Sequence, residues 1–127
     1  MTSAMAAALV SATGEAYPFA ATAVGALGGF VTGSGTSSSV LFGRLQADAA
    51  AAISVLPELL AAANIMGAGI GKMICPQSIA IGAAAAGLAS SEGRLFKAAF
   101  PWFVGVLLVA SLCTGFARLV LASTGAD

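Results

Sequence analysis

Residues 31–46 read VTGSGTSSSVLFGRLQ, a run of small hydroxyl residues between two apolar blocks, and how that run is taken decides the fold. In a soluble protein a Ser/Thr/Gly run is commonly a flexible linker. Here the flanks are apolar and helix-forming, so a linker would be drawn into the same nonpolar phase as its neighbours. Gly33 and Gly35 free the backbone and the hydroxyls compete for its hydrogen bonds, so the preceding helix is expected to fail over Thr32–Ser39. A new helix is expected near Val40, N-capped by Ser38 or Ser39 and carrying Arg44 and Asp48 four residues apart on one face. Upstream, Ala21, Gly25, Gly29 and Gly33 recur at every fourth position, a small-residue stripe that lets another helix approach closely.

Composition sets the phase. The 127 residues are 59% hydrophobic and 8% charged, with a net charge of zero and a mean hydropathy of +1.00, which leaves too little polar surface to cover a soluble domain. The expected fold is therefore all-α: a polytopic integral membrane protein with discontinuous helices, broken or re-entrant. Residues 1–127 read as a single membrane region. Ala98–Ala117 holds no charge and matches one bilayer crossing, with Trp102 near its start and Arg118 closing it, so a transmembrane helix is assigned to 98–120. Residues 17–50 form a first broken unit and residues 57–89 a second. In the second, Pro57 and Glu58 suit a helix start and ELLAAANIM runs to Met66. A break is expected at GAGIGK, Gly67–Lys72, with a restart at Pro76 that continues to about Ala89. The order half-helix, polar Gly-rich break, half-helix occurs twice, as in transporters built from discontinuous helices. SSEGRLFK, Ser90–Lys97, reads as an aqueous loop that Arg94 and Lys97 would place in the cytoplasm, with Arg118 counting against that orientation. The first seventeen residues lack a basic segment ahead of their apolar part, which argues against a cleaved signal peptide and for a start inside a larger protein.

A helix that begins inside the membrane presents unpaired N–H groups and a partial positive charge, a ready site for an anionic oxygen. At the first break Ser34, Thr36, Ser37 and Ser38 can add hydroxyl donors, and Gly33 with Gly35 lets a ligand approach the backbone. At the second, Lys72 is a cation in an apolar setting that calls for an anionic ligand, a carboxylate or water. Asn64, Gln77 and Ser78 can serve a carboxylate or hydroxyl there, or simply bond neighbouring helices. Other chemistries fit poorly. There is no histidine, and the acids are dispersed, which argues against a catalytic pair and hence against an enzyme. Cys75 and Cys113 lack metal-ligand spacing and read as small apolar residues, so neither a metal nor any other cofactor is expected. Zero net charge argues against nucleic acid. GAGIGKM departs from a nucleotide-binding loop at Met66 and Met73.

FVTGSGTSSSVLFGRLQ, then AANIMGAGIGKMICPQSIAIGAAAAGL, then EGRLFK before a last span resemble the C-terminal part of the bacterial L-lactate permease family, from about Gly28 to Leu108. The resemblance implies a multi-pass plasma-membrane carrier for lactate, and often glycolate, moved together with protons. It marks Thr32, Gly33, Ser34, Thr36, Ser37 and Ser38 in TGS-x-TSS, and Gly71, Lys72, Met73, Pro76, Gln77 and Ser78 in GKMI-x-PQSIA. The substrate-binding set expected here is Thr32, Gly33, Ser34, Thr36, Ser37, Ser38, Lys72, Gln77 and Ser78. One departure is Gly35, where members of the family commonly carry Asp; the proton or hydrogen-bond partner that this carboxylate would supply is absent. The other is length, since three or four crossings do not enclose a site between two structural halves. The expected partners are therefore the substrate, protons, the bilayer and either the remaining N-terminal part of a permease or further copies in a homo-oligomer. The rival expectation is an incomplete fragment or membrane scaffold without transport of its own.

Overall fold

The computed structural model describes residues 1–125, and those residues form helices joined by short turns, with no strand among them. Helix α1 covers Thr2–Thr13, followed by a single tight turn at Gly14–Ala16; α2 covers Tyr17–Thr32, α3 Gly35–Ala52, α4 Pro57–Lys72, α5 Pro76–Ala85 and α6 Glu92–Thr124.

Helix α2 starts with Pro18 in its first turn and stops at Gly33, whose φ of 66° and ψ of 12° is the left-handed conformation that glycine adopts without a Cβ penalty. Ser34 is extended, and its Oγ accepts the Ser37 N–H at 3.3 Å, so α3 begins at Gly35. The break is thus two residues long and capped by Ser34. The expected start at Val40 with a Ser38 or Ser39 cap is wrong, because those serines already lie inside α3 once Ser34 has capped it. The chain also turns back on itself. Tyr17 Oη donates to Gln46 Oε1 at 3.0 Å and Ser38 Oγ donates to the Gly25 carbonyl at 3.2 Å, so α2 and α3 are antiparallel legs of a hairpin whose tip is Gly33–Ser34.

Against this hairpin α4 runs parallel to α2. A Cβ added at Gly25 would overlap the Asn64 backbone, at Gly29 that of Ala68, at Gly67 the Thr22 carbonyl and at Gly71 the Ala26 carbonyl. Glycines four apart on both helices therefore bring the two backbones into contact, the small-residue packing of membrane helices. This overturns the expected break at Gly67–Lys72: those residues are helical, their glycines serve close packing, and α4 continues to Lys72. The interruption falls at Met73–Cys75, where Pro76 at the start of α5 cannot continue the hydrogen-bond ladder of α4. Across it the axis bends by 43°. Gly33 leaves the expected packing stripe as well, since it caps α2.

Helix α6 is antiparallel to α2: Thr22 Oγ1 lies 3.1 Å from Thr114 Oγ1, and Arg118 Nη1 donates to the Glu15 carbonyl at 2.9 Å. Glu92–Lys97, expected in an aqueous loop, form its first turns, which leaves Ser90 and Ser91 in the connection. Of the described helices, α6 is long and apolar enough to cross a membrane, and α4 with α5 passes the same test as one bent span. Only 17% of the most apolar stretch of α6 is buried. Trp102, Val109 and Leu112 on it stand exposed, the surface expected of a helix facing lipid or further membrane helices.

The core lies at the base of the hairpin, where Ala6 of α1 meets Tyr17, Leu45, Ala49, Leu60 and Ala63. A polar hub crosses it. Gln46 accepts from Tyr17 Oη, and its Nε2 donates to the Ala21 carbonyl at 3.2 Å and to Asn64 Oδ1 at 3.4 Å, all three side chains being buried. Asn64, a sequence candidate for substrate contact, is part of this hub.

Candidate functional site

Antiparallel α2 and α3 with parallel α4 put the hairpin tip and the α4–α5 break at the same end of the bundle. They touch there. A Cβ built on Gly33 would stand 2.9 Å from Gln77 Oε1 and 3.6 Å from Cys75 Sγ. Val31, Thr32 and Gly33 on one side and Cys75, Pro76 and Gln77 on the other line an open cleft of 260 Å³, with Phe30 at its edge. Thr32 also borders a neighbouring hollow formed with Thr36, Ser37, Val40 and Leu41 on the outer side of α3.

The two helix starts beside the cleft are capped differently. At α3 Ser34 Oγ satisfies Ser37, and the Ser34 carbonyl accepts the Ser38 N–H at 3.0 Å. The Gly35 and Thr36 N–H groups reach no protein acceptor among the described residues, so the positive end of α3 keeps two donors free. At α5 the cap is Cys75. Its Sγ accepts the Ser78 N–H at 3.3 Å and lies 3.1 Å from Ser78 Oγ, and its carbonyl accepts the Ile79 N–H at 3.0 Å. Cys75, read from sequence as a small apolar residue, is buried but ties the start of α5 together. Its position directly before a proline at a helix start is the available signal.

The sequence candidates separate into three groups. Thr32, Gly33 and Gln77 share the cleft, and Thr36 with Ser37 lines the adjoining hollow. Thr32 Oγ1 is held 2.8 Å from the Gly28 carbonyl and accepts the Ser34 N–H at 3.2 Å, which fixes it at the tip. Ser34 and Ser78 are engaged in capping, while Ser38 is wholly buried with its hydroxyl on Gly25 and its Oγ against Gly28. Lys72 ends α4, exposed, without an ion pair among the described residues. The described residues contain no cluster of His, Cys, Asp or Glu able to hold a metal.

An all-helical chain in which a helical hairpin and a bent helix pair meet at their breaks has the architecture of a polytopic membrane protein with discontinuous helices. Sequence comparison makes the assignment particular: the profile of the L-lactate permease family matches residues 1–121, and the chain belongs to that family. It is 54% identical over 85 residues to the L-lactate permease of Escherichia coli (strain K12), covering 67% of this chain and 15% of that protein. To the glycolate permease GlcA of the same strain it is 48% identical over 89 residues, 70% of this chain and 16% of the relative. To the L-lactate permease of Bacillus subtilis (strain 168) it is 43% identical over 102 residues, 80% and 18% respectively. The chain thus spans less than one fifth of the length of these relatives. The family match begins at residue 1, well before the Gly28 where the sequence motifs start. No solved structure matches.

Proposed function

We propose that the chain forms the part of a plasma-membrane permease in which the hairpin tip and the α4–α5 break bind the carboxylate of a small 2-hydroxycarboxylate, lactate or glycolate, during secondary transport with protons. The observation that carries this is the contact of Gly33 with Gln77 and Cys75: the two motifs lie more than forty residues apart in sequence and meet around one cleft. Two free N–H groups at the positive end of α3 and the Gln77 side-chain amide offer donors to a carboxylate, and Lys72 at the same end supplies positive charge. Thr36 and Ser37 are the hydroxyls free to reach a ligand from the neighbouring hollow. Ser34, Ser38 and Ser78 support the site by shaping its walls. The chain's short span of its relatives favours a second reading, in which these helices need the remainder of a permease before anything is transported.

Uptake of labelled L-lactate by transport-deficient bacteria tests both. Saturable uptake by the chain alone, falling at least tenfold on Lys72→Ala with insertion unchanged, is the expected result for an independent carrier. Uptake that returns only when the remaining segment of a relative is co-expressed supports the second reading. Unchanged uptake in Lys72→Ala removes that lysine from the site.

A further inference from the structure

We infer that the cleft between the hairpin tip and the α4–α5 break accepts 2-hydroxycarboxylates with longer apolar side chains, whose tails run past Phe30 into a groove between α2 and α6. The inference rests on the carboxylate site proposed above and extends it from two short acids to a wider substrate class.

Nearer the base of the hairpin α2 and α6 are in contact. Thr22 meets Thr114 there, and the Phe19 ring covers Gly115, where an added Cβ would overlap it. Toward the tip this contact gives way to a groove of 430 Å³, with Leu27 and Phe30 on the α2 side and Phe96, Phe100, Phe103 and Leu107 on the α6 side. Every side chain that lines it is apolar. The spacing of the four α6 residues puts them on one face of that helix, and the rings of Phe96, Phe100 and Phe103 follow one another at 5.8 and 6.0 Å between centres. From Phe96 to Leu107 this wall is about 16 Å long.

Groove and cleft share a border. Phe30, half-buried, lines both, and on the opposite side Ile74 of the groove is followed directly by Cys75 of the cleft. The Gln77 amide and the first N–H groups of α3 hold the carboxylate end of a ligand. A side chain that extends from there past Phe30 exchanges water for aromatic rings. The methyl group of lactate is too short to use a wall of this length, and each further methylene gains from it.

The test is competition by unbranched 2-hydroxy acids, from 2-hydroxybutyrate to 2-hydroxyoctanoate, against labelled L-lactate on the purified chain in detergent. Affinity is expected to rise about two- to fourfold with each methylene, the upper value corresponding to complete burial. Phe100→Trp and Ala23→Phe each narrow the groove, and either is expected to lower the ratio of 2-hydroxyoctanoate to lactate affinity by about tenfold or more. A series that is flat or falls while lactate still binds overturns the inference and leaves the lactate site standing, the outcome if a lipid chain or another permease helix fills the groove. A rise that persists in both variants reports uptake of the tails by detergent and overturns it as well. Failure of the chain to bind lactate at all removes the carboxylate site and this inference with it.

Discussion

The two ends of the α2–α3 hairpin are built from similar residues and put them to opposite use. At the base, Tyr17, Gln46 and Asn64 are buried and turn their polar groups on one another. At the tip, Gln77, Thr36 and Ser37 are exposed and the first amides of α3 have no acceptor among the described residues. A buried polar group left unpaired in an apolar phase costs about 1–3 kcal/mol, so the base gains order only because its partners are complete. The tip leaves its donors open at a surface and keeps them available. Polarity alone therefore does not mark a site in a membrane helix; incomplete satisfaction does.

Three substitutions break or sharpen this contrast. The largest effect is expected from Gly29→Val, which drives a branched side chain into the Ala68 backbone between α2 and α4. Backbone cannot yield as a side chain does, and overpacking of about 3 kcal/mol or more is expected, read as loss of the monodisperse protein in detergent. Both ends fail together. Next is Gln46→Leu, which leaves Tyr17 Oη and Asn64 Oδ1 unpaired at the base. A loss of about 1–2 kcal/mol is expected from the thermal midpoint, with lactate binding retained by the fraction that stays folded. Binding lost in parallel with no change in stability would show that base and tip are not separate. The smallest is Gly35→Asp. A Cβ there meets nothing within 4 Å, and a carboxylate in the first turn of α3 stabilises the helix by about 0.3–1 kcal/mol. The resemblance to the family implies a carboxylate at this position, so the variant is expected to melt higher and to keep lactate binding, checked by the thermal midpoint and by binding of labelled lactate.

The uncharged centre of α6 is legible from sequence because an apolar run of bilayer length is rarely anything but a membrane span. Its first turns are not, since Glu92, Arg94 and Lys97 suit a helix end as well as a loop. Gly67–Lys72 is more instructive. Glycine raises the odds of a break and of close helix contact alike, and spacing separates the two: Gly67 and Gly71 repeat the four-residue interval of Gly25 and Gly29, the interval that marks packing in α2. Pro76 favours the stop of α4, since it has no N–H for the Lys72 carbonyl, whereas Pro101 is accommodated inside α6. The first break is visible in the sequence, but its cap is expected four or five residues late because six hydroxyl residues from Thr32 to Ser39 compete for one role. The hub of Gln46 with Tyr17 and Asn64 has no sequence signal, since it depends on the register of three helices. The meeting of the two motifs in one cleft depends on the hairpin turning back and on α4 running parallel to α2, neither of which spacing encodes.

The two-residue tip also governs how the chain enters a bilayer. Helix α3 is the least apolar of the helices and carries Arg44, Gln46 and Asp48, a poor candidate for partitioning alone. Joined to α2 through Gly33 and Ser34, it cannot separate from its neighbour by more than a residue or two of slack. The pair is therefore expected to enter the bilayer as one unit, with the Gln46 amide shielded by Tyr17 and the Ala21 carbonyl. The short turn makes the insertion of α3 a property of α2.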